Sequence, residues 1–341
     1  MGTREASHAG SWYEDDPEEL SSQLDDFLDR VPVTLDDSSL PITGARVIIA
    51  PHAGYSYSGP CAAWAYKALD LGSAKRVFII GPSHTYYLRG CALTTFDKYE
   101  TPLGDLVVDQ ATTAELRQTG RFSDMPKGHD VDEHSLEMHI PYLWKRLEQT
   151  FGDDSAQYPP IVPILIGNAS EQEEKSFGRL LSQYLKDPET AWIVSSDFCH
   201  WGSRFKYRPR LLDGAIRDLD KPKASGTGYE SLPVTPDWSQ MAKKPEKPQT
   251  HEVIKVLDQM AMDAVESGAH SDFYKVIRET HNTVCGRHPI GVMMATLEAV
   301  AKEKGLEEGK GTFSFVQYQR SSLVKQDWDS SVSYASAYAV V

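Results

Sequence analysis

The chain has 341 residues, 40% of them hydrophobic, enough to bury the core of one large domain or two smaller ones. Its 35 basic and 49 acidic residues leave a net charge of −14, which repels nucleic-acid backbones and anionic membranes and argues against either as a main partner. No apolar run reaches membrane-spanning length, and the opening MGTREASHAG lacks the apolar stretch of a signal peptide. The four cysteines, Cys61, Cys91, Cys199 and Cys285, form no C-x-x-C pair, so a zinc ribbon and a thioredoxin motif are both unsupported. Free thiols in a reducing cytosol, with access to the nucleus, are the expectation.

The first predicted helix opens at Asp16 and Pro17, repeats Leu20, Leu24, Phe27, Leu28 and Val31 at helical spacing, and stops at Pro32. After a polar loop over 34–43, the β-branched run 46–50 reads as a buried strand ending at Pro51 and His52. A helix is predicted over 61–69. A second buried strand, 76–80, runs into Gly81, Pro82, Ser83 and His84. A third run, 161–166, is interrupted by Pro163, and a fourth, 191–194, leads into Ser195, Asp197 and His200. Helical patterns lie between them at 136–147 and 171–185, and others follow at 251–266 and after Pro289. Strands at 313–319 and 331–340 complete the pattern. Alternating buried strands and helices predict an α/β fold with a mixed, partly parallel central sheet flanked by helices. One domain spanning 1–341 is expected. Residues 218–250, with five prolines and many lysines, are read as a flexible surface insertion within it.

Three strand ends share one design: an apolar run, one or two small or proline residues, then a polar ligand type. In open α/β sheets ligands bind beyond the carboxyl ends of the strands. His52, His84, Asp197 and His200 are therefore expected to converge at one edge. Cys285 is a fifth candidate, with Gly286 permitting a tight turn and Pro289 opening the next helix. A cysteine before a helix N-terminus is expected to have its thiolate favoured by the helix dipole. Two imidazoles and a thiolate suit zinc, copper or iron and not magnesium or calcium. Cys61, Cys91 and Cys199 read as buried, inert thiols. In the run DEHSLEMHIPY, Glu133 and Glu137 are expected to cap a helix and hydrogen-bond behind the site, and His134 and His139, five apart, to diverge. Trp12, with His8 nearby, is expected either to roof a pocket that accepts an aromatic group or to pack on the first helix.

The runs REASHAGSWY, VIIAPHAGYSYSG, FIIGPSH, DEHSLEMHIPY, VSSDFCHWG, HNTVCGRHPIGV and DSSVSYASAY together resemble the Memo family, the mediators of ErbB-driven cell motility. The resemblance extends from Arg4 to Tyr338. It implies a fold like that of the class III extradiol dioxygenases of the LigB type, whose non-haem iron(II) is held by two histidines and a carboxylate. His52 and His84 match the histidines, and Cys285 stands in the third position. A thiolate there suits copper(I) as well as iron(II) and argues against the standard ring-cleaving mechanism. Asp197 and His200 match further residues of the catalytic pocket, His200 in the place of a base. Trp12, His8, His134 and His200 fall where the resemblance implies a pocket for a peptide of the phosphotyrosine type. Three readings follow: a metal-binding protein of redox or metal homeostasis and cell-motility or cytoskeletal signalling; a phosphopeptide-binding adaptor without metal chemistry; and an extradiol-type oxygenase on an aromatic substrate.

Overall fold

The computed structural model describes residues 2–35, 37–212, 215–222, 229–231, 249–305 and 311–341. The principal elements, in chain order, begin with α1 (Pro17–Asp29), β1 (Ala45–Ala50), α2 (Tyr55–Ala68), β2 (Arg76–Pro82), β3 (Cys91–Leu93) and β4 (Phe122–Asp124). Then come α3 (His134–Glu137), α4 (Ile140–Phe151), β5 (Ile161–Ile166), α5 (Glu171–Leu185), β6 (Thr190–Ser195) and β7 (His200–Trp201). The chain continues through β8 (Pro209–Leu212), β9 (Ala215–Pro222), β10 (Tyr229–Ser231), α6 (Thr250–Glu266), α7 (His270–Thr280) and α8 (Arg287–Lys304). It closes with β11 (Phe313–Arg320) and β12 (Ser331–Val340).

Among the described residues the central sheet runs β7-β12-β1-β6-β2-β5-β3-β4, with β11 on the other side of β12. Its middle four strands, β1, β6, β2 and β5, are parallel, and antiparallel β12 and β3 flank them. This is the mixed, partly parallel sheet that the strand–helix alternation predicts. The middle strands are buried on both faces, which explains their unbroken apolar runs. Side chains alternate between two cores. Ile48, Val77, Ile79, Ile193 and Leu165 pack with α1, α2 and α4. Val47, Ile49, Phe78, Ile80, Trp192 and Val194 pack with α5, α7 and α8. Trp192 and Phe78, neighbours on adjacent strands, stack at 4.0 Å.

Some expectations shift. β5 runs straight through Pro163; β3 pairs with Ile164, Leu165 and Ile166 and not with Pro163, so the proline costs no bond on that side. The helical pattern at 136–147 divides into a single turn, α3, and the longer α4. The stretch 218–250 does not begin as a loose insertion, because β9 pairs with β8 and β10 in a small antiparallel sheet. Asp218 is fully buried there and accepts the backbone N–H groups of Arg208 and Asp220 at 3.0 and 3.1 Å. That buried carboxylate, with buried Ile216, ties the start of the stretch to the body. Residues 223–228 and 232–248 lie outside the described residues.

Trp192 is fully buried at the centre of the sheet and stacked on Phe78, so truncation leaves a large cavity with little room to collapse. Trp192→Ala is expected to lower the unfolding free energy by about 3–5 kcal/mol, measured by urea titration. A loss under about 1 kcal/mol would show that the core repacks around the gap.

Candidate metal centre

β1, β2 and β6 lie side by side and point the same way, so the residues just beyond their carboxyl ends meet. Pro51 carries the chain out of β1 to His52, Ser83 carries it from β2 to His84, and β6 ends at Ser195, two residues before Asp197. Cys285 comes from a separate part of the chain, just ahead of α8. One ligand atom each from His52, His84 and Cys285 lies within 4.8 Å of the others.

The proton on each imidazole follows from its partners. His52 Nδ1 is 2.6 Å from Ser195 Oγ, and that hydroxyl donates to the carbonyl of Ser135 at 2.7 Å. Ser195 therefore accepts from His52, whose Nδ1 carries the hydrogen and whose Nε2 keeps its lone pair. Nε2 lies 3.2 Å from Cys285 Sγ. His84 Nδ1 donates to Glu133 Oε1 at 2.9 Å, and its backbone N–H donates to Oε2 at 2.7 Å. A carboxylate only accepts, so the His84 hydrogen on Nδ1 faces Glu133, and Nε2 is the ring nitrogen turned away from it. Burial, reinforced by the facing histidines, pushes His52 well below the usual imidazole range and keeps it neutral. Two imidazoles, each oriented by an acceptor on its Nδ1, beside a sulfur are a donor set for a borderline or soft transition metal. His52 is buried, Cys285 half-buried and His84 exposed, so the centre opens on the His84 side.

Cys285 departs from the expectation of a helix-stabilised thiolate. Burial first, and the Asp197 carboxylate second, push its thiol above the ordinary range; the N–H groups of Asp197 and Gly286 counter this only in part. Gly286 has an ordinary φ of −84°, so its role is not an unusual turn. A Cβ there would lie 2.4 Å from the carbonyl oxygen of Ser195, so only glycine allows the Cys285 segment to press against the end of β6.

Asp197 is buried beside the trio, and its Oδ1 accepts the backbone N–H of His52 at 2.9 Å. With the N–H of Ala53 also engaged, the carboxylate fastens the turn that carries His52; burial raises it to about 7. His200 Nδ1 lies 2.8 and 3.0 Å from the carbonyls of Phe198 and Thr283, two acceptors, so its hydrogen sits on Nδ1 and its Nε2 is unprotonated. Burial lowers its basicity.

His8, Trp12 and His134 gather at the mouth. His134 stacks on His84 at 4.3 Å and meets Trp12 at 4.7 Å, and His8 meets Trp12 edge-on at 5.4 Å. Trp12 is 36% exposed, a large ring left at the surface over the histidines. Glu137 holds His8 as Glu133 holds His84, by the backbone N–H and Nδ1, both at 2.8 Å. Glu133 also caps α3 through the N–H of Ser135. Burial opposes both charges, but the hydrogen bonds from His84 and His8 hold each glutamate at about 2. Buried Arg4 adds a 2.6 Å ion pair to Glu137. The capping and supporting roles expected for these glutamates are present. His139 diverges as expected, into the core against Tyr66. Ser195, Ser135 and Arg4 went unrecognised as supports. Ser195 alone had a visible signal, as the first polar residue at the end of a buried strand. Cys61, Cys91 and Cys199 are buried and pushed up by burial, Cys61 to about 12, and stand apart from the centre.

The sequence profile of the family described as Memo-like protein matches residues 4–338. The chain is 43% identical over 338 residues to Protein MEMO1 of Xenopus laevis, covering 99% of this chain and 97% of that protein. It is 41% identical over the same length and coverage to human Protein MEMO1, and 37% identical over 339 residues to the memo-1 homolog of Caenorhabditis elegans, covering 99% of this chain and 83% of the homolog.

A cation held by Cys285 must displace its proton, because the thiolate is the coordinating form and the thiol here is raised. Affinity is therefore expected to rise about tenfold per pH unit across the neutral range, measured by copper(I) competition titration between about pH 6 and 8. Affinity that does not change with pH would remove Cys285 from the ligand set.

Proposed function

The chain belongs to the Memo family, and we propose that it binds one transition-metal ion, iron(II) or copper(I), through His52, His84 and Cys285. The observation that carries this reading is the pair of imidazoles, each oriented by a protein acceptor on its own Nδ1, whose ligand atoms lie with the Cys285 sulfur within 4.8 Å of one another. When bound, such an ion supplies one-electron redox chemistry and a site for small ligands. The protein's own part is to orient both imidazoles, to hold the His52 turn through Asp197, and to leave one side open. His200, with an unprotonated Nε2 near His84, is the group we assign to accept a proton from a molecule entering the pocket. A thiolate in the third position supports a role in redox or metal homeostasis over extradiol ring cleavage, in the cytoplasm and with access to the nucleus. The setting we assign is cell-motility or cytoskeletal signalling.

His52→Ala and His84→Ala are each expected to remove most of the metal, measured as ions per chain on protein purified without an affinity tag and reloaded anaerobically. Unchanged stoichiometry in both variants would overturn the reading.

A second reading rests on the ring cluster at the mouth. Trp12, half in water over His134 and His8, offers a flat face to an aromatic side chain, which supports recognition of a peptide of the phosphotyrosine type at the same opening. Trp12→Ala is expected to weaken binding of a phosphotyrosine peptide at least about tenfold by calorimetry while metal content stays constant. Equal affinity in the variant would exclude the mouth as its site.

A further inference from the structure

On the α7 and α8 side of the sheet lies a cleft of about 370 Å³, whose walls include Phe273, Tyr274, Arg278, Asn282, Arg287 and His288. None of His52, His84 or Cys285 lines it. Its charge runs against that of the chain. In a protein of net charge −14, two guanidinium groups border one cavity, and neither forms a salt bridge among the described residues. Glu171, an acid within electrostatic range of Arg278, is already paired with Lys175 at 2.7 Å.

The one carboxylate in the wall is committed elsewhere. Glu174 Oε2 lies 2.6 Å from His270 Nε2, and Oε1 lies 2.6 Å from His288 Nδ1. Each oxygen accepts from an imidazole, and among the described residues Glu174 pairs with these two histidines and with neither arginine. A Cβ on Gly291 would lie 2.4 Å from Glu174 Oε2, so α8 carries glycine where it passes this carboxylate. Part of the lining is apolar, with Phe273, Tyr274 and Ile277 on α7, the helix that also carries Arg278. At the base, Asn282 is 3% exposed; its Nδ2 donates to Asp258 at 3.0 Å, and its Oδ1 has no partner among the described residues.

We propose that this cleft is a second ligand site, separate from the metal centre, that binds a small organic oxyanion: a carboxylate or phosphate monoester on an apolar body. Arg278 and Arg287 supply the planar forked donors that suit two oxygens of one anion. The ring and aliphatic wall takes the apolar body, and the volume is in the range of small-molecule pockets and far above that of an inorganic ion. Asn282 Oδ1 is an acceptor for a ligand hydroxyl or a protonated oxygen of the anion. Arg287 and His288 also line a narrower recess of about 70 Å³ that reaches Cys285, so the two sites back onto each other across the start of α8.

Calorimetry of the full chain with phenyl phosphate, benzoate and inorganic phosphate at low ionic strength tests this. One saturable site per chain is expected, with the better aryl anion at least about tenfold tighter than inorganic phosphate. Which aryl anion is tighter separates phosphate from carboxylate. Arg287→Gln and Arg278→Gln are each expected to weaken binding about tenfold or more, and Arg287→Lys to weaken it less than Arg287→Gln. Variants are compared only where their thermal unfolding matches the parent; Arg278 is exposed, so its replacement leaves the fold intact. His84→Ala is expected to leave the affinity unchanged, which separates this site from the metal centre. No saturable binding of either aryl anion at millimolar concentration overturns the proposal. So does binding that survives both arginine-to-glutamine changes or is lost in His84→Ala.

Discussion

A buried carboxylate that grips a histidine at two points, its backbone N–H and its Nδ1, is the contact on which the rest of the centre depends. Glu133 does this to His84 and Glu137 to His8, one helical turn apart. Two points of attachment fix both the chain and the ring, and the acceptor on Nδ1 holds a hydrogen at that nitrogen and turns Nε2 away from the carboxylate. Each glutamate would be costly alone in the interior. Arg4 offsets Glu137, and the His84 and Ser135 N–H groups offset Glu133. The N-terminal segment is therefore part of the centre: through Arg4 and His8 it completes a polar network whose other members lie more than a hundred residues away.

The sheet supplies the second constraint. A parallel arrangement of β1, β6 and β2 brings three carboxyl ends to one edge, and burial on both faces locks their register, since a slip of one residue would turn every side chain into the wrong core. Ser195 shows the two constraints meeting. It is the last residue of β6, accepts from His52 Nδ1, and donates to the carbonyl of Ser135 beside Glu133. One hydroxyl thus connects the β1 histidine with the segment that holds the β2 histidine.

The parts legible in sequence were those that local pattern controls. Buried strands 46–50, 76–80 and 191–194 announce themselves by unbroken apolar runs, and α5 by its period between 171 and 185. His52, His84 and Cys285 were legible because each follows such a run or precedes a helix, and topology does the rest. The small sheet of β8, β9 and β10 was not legible, because its proline- and lysine-rich surroundings mask a short alternation that one buried aspartate anchors. Helix α7 escaped because it follows α6 closely and buries few side chains, Phe273 chief among its apolar ones. The protonation of Cys285 was misread because a helix terminus is visible in sequence and the burial of a sulfur against a distant aspartate is not.

Asp197 and Cys285 together define what the pocket favours. Two acids, both disfavoured as anions by burial, sit against each other: Asp197 is raised to about 7, and Cys285 is raised further because the carboxylate opposes its charge. They are joined directly as well, the Asp197 backbone N–H donating to Cys285 Sγ at 3.2 Å. Ionising either one alone works against the other, so in the protein by itself the thiol stays protonated. A cation reverses this balance, because its charge outweighs the carboxylate and draws the proton from sulfur. A soft or borderline ion gains most, since it also forms the stronger bond to thiolate. A hard ion of the same charge neutralises the same repulsion but gains little from sulfur, and the nearby carboxylates of Asp197 and Glu133 already accept hydrogen bonds from the His52 turn and from His84. Any preference of this donor set among ions would then depend on the engagement of its carboxylates as much as on the identity of His52, His84 and Cys285.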